Sequence, residues 1–272
     1  MQQVRLEPLT DENIDIESCC CLTYDRELKK YAAIKKKWLK SMMKKGLRAQ
    51  LLFEDDEPAG FIEYQPIELA PCPAMGADLY FVNCLMVHIW DLGPGSMKGK
   101  GYGRMLVEAA ERDVRQNTDA KGLVTWGLDH EFWFMPYGFF KHLGYRVVDK
   151  EGQRVLLVKK FGNVQDPQLR PISYERDPEP GKAVIDFFFS NQCPYRLYQL
   201  ERWRSISQEF DEEAVFNEFQ TDEKSVLSEF GIKSGLFING EEVFAGPMTD
   251  DEIRDKIALA ITGTHGGLDW CD

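Results

Sequence analysis

Lys98-Gly99-Lys100-Gly101-Tyr102-Gly103-Arg104 puts three glycines and three cationic side chains at the entry to a segment whose Leu106, Val107 and Ala110 fall on one helical face. A helix beginning there leaves its first backbone N–H groups without partners and turns the positive end of its dipole toward the loop. Phosphate is the natural ligand of such an end. Glycine permits positive φ and close approach of the backbone to the anion, while lysines add charge. Spacing narrows the ligand. A Walker A loop ending in Gly99-Lys100 needs glycine at position 94 and Ser or Thr at 101, where Pro94 and Gly101 stand. A dinucleotide fingerprint starting at Gly99 needs glycine where Arg104 stands. A glycine turn that binds nothing is the competing reading of the loop alone.

A second place for chemistry is Cys193-Pro194-Tyr195-Arg196, between a strand and a helix. A thiolate at a helix N-terminus is stabilised by the dipole. The chain has seven Cys, three of them consecutive (Cys19, Cys20, Cys21), and no Cys-x-x-Cys pair. That pattern supports neither a disulfide framework nor a zinc cage, so buried reduced thiols and no metal are expected.

These residues need elements to hold them. Asp25 to Lys45 reads as a helix, with Leu28, Tyr31, Ile34, Trp38, Leu39 and Met42 inward and its lysines on a solvated face. Gln50–Phe53 and Ala59–Gln65 flank the turn EDDEP as a hairpin, and Leu79–His88 follows as a strand. After the glycine loop come a helix (Arg104–Gln116), a buried strand (Gly122–Leu128), a short helix (Pro136–Leu143) and a last strand (Arg154–Lys160). Residues 165–181 hold four of the thirteen prolines and read as a linker. Beyond it the order is βαβαββα: a strand at Ala183–Phe189, a helix at Pro194–Phe210, a strand at Val215–Phe219, a helix at Glu223–Phe230, a hairpin at Leu236–Phe244 turning at Asn239-Gly240, and a helix at Asp250–Ala260. The domains expected are 1–165, a linker 166–181, a module 182–262 and a loose tail 263–272.

The glycine loop resembles motif A of the GNAT superfamily of N-acetyltransferases, Gln/Arg-x-x-Gly-x-Gly/Ala, with Lys98 first and Gly101 and Gly103 at the small positions. Cys84-Leu85-Met86-Val87 resembles the family's central strand, and Phe139-Phe140-Lys141-His142-Leu143-Gly144-Tyr145 its late Phe-Tyr-x-x-x-Gly-Phe signature. The resemblance covers residues 1–165. It implies an α/β (α+β) fold with a mixed central sheet and acetyl-CoA as co-substrate. The cofactor would be held by Leu85, Met86, Val87, Lys98, Gly99, Lys100, Gly101, Tyr102, Gly103, Arg104 and Phe140. It also implies direct attack of a primary amine on the thioester, with Glu63 as first choice of base. Two departures stand out: the segment HIWDLGPGSM lengthens the usual connection, and Phe140 occupies the position of the family's Tyr acid. Phenylalanine has no proton to give the leaving thiolate. Tyr137, one turn earlier, is the substitute; His88 and His130 are other candidates.

The βαβαββα module with Cys193-Pro194-Tyr195 resembles the thioredoxin/glutaredoxin fold, and the whole resembles bacterial acetyltransferases with a YoaP-type C-terminal domain. Arg196 stands at the resolving Cys, which excludes an intramolecular dithiol cycle at this site. A non-catalytic CoA-binding or thiol-handling protein using Cys193 is the alternative function.

The formal net charge is -12. Residues 1–165 carry 23 basic and 23 acidic side chains, so the remaining 10 of 33 basic and 22 of 45 acidic residues place the whole excess after position 165. An acidic module repels nucleic acid and anionic lipid and favours cationic partners, a cationic amine acceptor among them. No stretch of about 18 apolar residues spans a bilayer and the N-terminus is no signal peptide, so a cytoplasmic location is expected.

Overall fold

The computed structural model describes residues 3–19, 29–88, 96–129, 135–222, 224–243 and 248–263. The chain divides into two compact units, Met1–Pro171 and Ile172–Asp272. The first runs β1 (Val4–Pro8), α1 (Ile14–Cys19), α2 (Lys29–Met43), β2 (Arg48–Glu54), β3 (Glu57–Pro66), the short β4 (Ala74–Met75) and β5 (Tyr80–Val87). It continues with α3 (Tyr102–Asn117), β6 (Gly122–Leu128), α4 (Tyr137–His142), β7 (Arg146–Glu151), β8 (Arg154–Lys160) and the short β9 (Gln168–Leu169).

Seven strands form one sheet in the order β1-β2-β3-β5-β6-β8-β7. All neighbours are antiparallel except β5 and β6. The central strands are apolar on both faces, so both faces must be covered. Leu52, Ile62, Val82 and Leu123 pack with Leu106, Val107, Ala110 and Val114 of α3. Their sequence neighbours Leu51, Phe53, Phe61 and Met86 form a separate cluster with Ile16 of α1. The period-two alternation along β2, β3 and β5 thus builds two cores, one on each side of a single sheet.

Three expectations need correction. The N-terminus opens with a strand, β1, at the sheet edge along β2; its Val4 and Leu6 alternate with Arg5 and Glu7, but the strand is short and only half-buried. The other edge strand, β7, escapes the sequence for the same reason. In α2, Lys35 is buried and Ile34 is 41% exposed, the reverse of the expected phase. Residues 25–28 lie outside the described residues.

The second unit contains β10 (Ala183–Phe189), α5 (Pro194–Ser207), β11 (Ala214–Gln220), α6 (Lys224–Phe230), β12 (Gly235–Ile238), β13 (Glu241–Glu242) and α7 (Asp250–Thr262). Its sheet order is β11-β10-β12-β13, with β10 parallel to β11 and the other pairs antiparallel. Every residue of the central β10 is buried. The helix after Cys193 ends as an α-helix at Ser207 and gives way to a 3-10 turn, Gln208–Glu213. Thr249 and Glu252 start α7 with a reciprocal capping box.

The expected linker is built into the units at both ends. Gln168 and Leu169 pair with Met75 and Ala74, and the Arg170 N–H donates to the Pro73 carbonyl. On the far side the Tyr174 ring sits among Phe188, Phe230 and Phe237, with centroids 5.5, 6.2 and 4.4 Å away. Prolines exclude regular structure only where they stand, and residues between them still pair and pack. Among the described residues no helix is long and apolar enough to cross a membrane.

Candidate active site

The parallel pair at the centre of the first sheet does not stay together. β5 and β6 are paired only at Tyr80–Leu123 and Phe81–Val124. Beyond Phe81 they part, and among the described residues no strand pairs with β5 on that side from Asn83 to Val87. The cause is local. Glu63 opposes Cys84 and Tyr64 opposes Val82, which leaves Asn83 as an extra residue on β5. Such a bulge bends the strand that carries it. The fork therefore opens between β5 and β6 beyond Phe81.

The glycine loop stands at the open end of this fork. Gly101 is the N-cap of α3 with φ 82° and ψ 5°, and the first intrahelical bond runs from the Met105 N–H to the Gly101 carbonyl. The N–H groups of Tyr102, Gly103 and Arg104 thus lack helical acceptors. A Cβ at Gly101 would meet no atom within 4 Å, so backbone conformation, not crowding, calls for glycine there. A Cβ at Gly103, by contrast, would lie 3.2 Å from Phe139 and 3.9 Å from Val87. Fork, loop and α4 meet at that point. The lengthened connection leaves this meeting intact, because the Met97 N–H closes its stem on the His88 carbonyl at 2.8 Å. Residues 89–95 lie outside the described residues.

The cationic residues of the loop divide. Lys98 and Arg104 are exposed. Lys100 instead donates to both carboxylate oxygens of Glu54, at 2.9 and 2.7 Å, and the Tyr102 hydroxyl donates to the same group. These bonds hold the Glu54 carboxyl below its usual range, and burial with Glu54 pushes the Tyr102 hydroxyl up to about 12. Lys100 and the Tyr102 ring therefore brace the loop against the end of β2.

Phe140 and Phe139 part ways on α4. The Phe140 ring is 1% exposed and packs in the core, 5.7 Å from Tyr145. Phe139 is the member of the pair that faces the loop. Tyr137 begins α4, half-buried, and its backbone presses on Gly127 so closely that a Cβ at Gly127 would lie 2.7 Å from the Tyr137 Cα. Leu85 and Val87 are partly buried on the α3 face, while Met86 turns into the opposite core. His88 is buried at the end of β5. His130 lies outside the described residues.

Glu63 has no exposed surface. It accepts a bond from Asn83 at 2.7 Å and lies 3.6 Å from the Lys35 ammonium. Lys35 in turn donates to Glu17 at 2.7 Å. The sequence contained the signal for this cluster: Tyr31, Lys35, Trp38, Leu39 and Met42 are one helical stripe with a lysine inside it. Burial pushes the Glu17 carboxyl up to about 8, opposed by Lys35 and aided by Glu63. The ordinary value is 4.5, so the folded chain keeps a proton that the unfolded chain releases, and stability falls as pH rises from 4.5 to about 8. Glu17→Gln has no such proton to lose. Melting curves should show its stability gaining on the wild type from pH 5 to about 8, whereas a constant difference would contradict this assignment.

In the second unit Cys193 is the N-cap of α5, with Pro194 at the first helical position. The Arg196 Nε donates to Ser234 at 2.6 Å, and its guanidinium lies 5.6 Å from the centre of the Phe187 ring.

The first unit brings together one parallel pair that forks at a bulge and, at its open end, a glycine loop and the start of a helix. It is a mixed α/β fold with a mixed central sheet. No family model matches the chain. The uncharacterized N-acetyltransferase YoaP of Bacillus subtilis (strain 168) is 24% identical over 208 residues, 74% of this chain and 76% of its own. That is a longer stretch than either unit spans. Solved structures with similarity include a GNAT acetyltransferase of Desulfovibrio desulfuricans, 14% identical with a TM-score of 0.42 over 60% of this chain and all of its own. The PaiA N-acetyltransferase of Thermoplasma acidophilum, solved with coenzyme A, is 16% identical with a TM-score of 0.40, covering 58% of this chain and 99% of its own. A Brucella melitensis GNAT acetyltransferase, solved with acetyl-CoA, is 16% identical with a TM-score of 0.39, covering 64% and 96%.

Proposed function

We propose that the chain is an acetyl-CoA-dependent N-acetyltransferase that moves the acetyl group to a primary amine by direct attack. The observation that carries the reading is the convergence of the β5/β6 fork, the N-terminus of α3 and Phe139 of α4 at Gly103. The unpaired N–H groups of Tyr102, Gly103 and Arg104 suit the pyrophosphate of CoA, with the loop glycines Gly99 and Gly101 giving access and Lys98 and Arg104 adding charge. Leu85 and Val87 line the fork for the pantetheine arm, and β5 peptide N–H groups polarise the thioester carbonyl.

In the transfer the amine nitrogen bonds to the carbonyl carbon, the carbon–sulfur bond breaks, the thiolate takes a proton and the amine gives one up. Tyr137, at the start of α4, is the candidate to protonate the thiolate. Water is the simplest carrier of the amine proton, because Glu63 is enclosed. Holding both substrates in line supplies much of the acceleration.

The strand order and single parallel pair of the second unit support a thioredoxin-like, YoaP-type domain, in which Cys193 acts as a single thiol or not at all. The thiol at the α5 N-terminus keeps the CoA-binding or thiol-handling reading as the alternative. A cytoplasmic location belongs with either reading. Incubating the protein with acetyl-CoA and a panel of amines, and following free CoA, tests the proposal. Release is expected with at least one amine, cationic amines first, and should survive Cys193→Ser. Absence of release with every amine would count against transfer, and a thiol function abolished by Cys193→Ser in that absence would favour the alternative.

A further inference from the structure

The Glu17–Lys35–Glu63 cluster calls for an explanation that stability does not supply. Two carboxyls and an ammonium, at most 2% exposed, have been taken out of water. Such groups cost several kcal/mol each to desolvate, and apolar residues of similar volume often stabilise a fold as well or better. The groups come from three elements, α1, α2 and β3, and end on a fourth. That last member, Asn83, is the extra residue of the bulge from which β5 leaves β6.

We propose that Glu63 is a positioning residue, the last link of a buried chain Glu17–Lys35–Glu63 that fixes the Asn83 bulge and so sets the opening of the β5/β6 fork. The inference rests on the transferase reading for what the fork does, though not for how it is held. Lys35 anchors the chain on the helical layer: its ammonium reaches Glu17 at 2.7 Å and Glu63 at 3.6 Å and lies 4.6 Å from the Phe61 ring. Glu63 then takes the Asn83 amide at 2.7 Å through the one oxygen that an amide would also provide. The peptide groups that follow Asn83 on β5, beyond its pairing with β6, are those assigned to the thioester.

The test compares Glu63→Gln with Glu63→Leu in the full chain. Glutamine keeps an oxygen for Asn83 and cannot take a proton; leucine keeps neither. In acetyl transfer the leucine variant should lose at least about tenfold in kcat/KM for acetyl-CoA, as expected of a displaced reactive carbonyl, and glutamine should recover most of it. Equal inactivity of both variants would make Glu63 a general base and overturn the proposal. Hydrogen exchange of residues 83–87, followed by mass spectrometry, gives an answer that does not depend on turnover. Leucine should speed exchange on β5 and glutamine should not; wild-type exchange in the leucine variant would refute the chain even in a protein that transfers nothing. If Glu63→Leu does not fold, Asn83→Ala removes the same bond from the other end and takes its place in both measurements.

Discussion

Gly101→Glu is expected to weaken CoA binding by about 100-fold or more, which corresponds to roughly 2.7 kcal/mol. Two effects add. At φ 82° a residue with a Cβ sits in the left-handed region, at a cost of roughly 1–2 kcal/mol. The new carboxylate also stands where the α3 dipole and three unpaired N–H groups would receive phosphate, and it competes for them. Gly101→Ala separates the effects, since alanine brings the strain without the charge and should cost about tenfold. Isothermal titration with CoA measures both variants. Because a Cβ at this position meets no atom within 4 Å, the fold of the first unit should persist, and circular dichroism should change little.

Asp186→Ala should have the largest effect on stability, about 3 kcal/mol or more. Asp186 is fully buried at the centre of β10. It accepts bonds from Asn217 on β11 at 2.7 Å, from Tyr174, and from Arg176 through two nitrogens. Alanine would strand a guanidinium, a phenol and an amide around a small void. The same carboxylate ties the segment 172–176 to the central strand, so that segment should become sensitive to proteases at denaturant concentrations that leave the wild type intact. Urea unfolding followed by hydrogen exchange of the β10 amides reads the loss directly. Asp186→Asn, which keeps hydrogen-bonding atoms but not the charge, should fall between the two. A stability equal to wild type in the alanine variant would mean that the network is solvent-filled and not structural.

The features legible in the sequence are those written in local pattern. β10 is a continuous apolar run, α3 has an apolar stripe behind its glycines, and Asn239-Gly240 turns a hairpin; each lies within two or three residues of its expected place. The loop Lys98–Arg104 and the strand before it were recognisable from type and spacing, because a helix N-terminus after glycines has few uses. What escaped was set by partners far along the chain. Nothing near Asn83 announces a bulge, which arises from the register of β5 on β3. The pairing of Lys100 with Glu54, at the end of β2, has no trace near the loop. Phe139 and Phe140 are adjacent in sequence, and only the seating of α4 on β6 decides that Phe140 enters the core while Phe139 meets the loop. Lys35 was the one long-range feature with a local trace, a charge inside an apolar helical stripe.

In the proposed CoA site the fork and the α3 N-terminus act together. Calorimetric titration of CoA into the full chain, with Gly101→Glu as the paired control, tests that most directly. The prediction is saturable binding at a single site in the wild type and its near-complete loss in the variant. No binding to the wild type, or equal binding to both proteins, would contradict it.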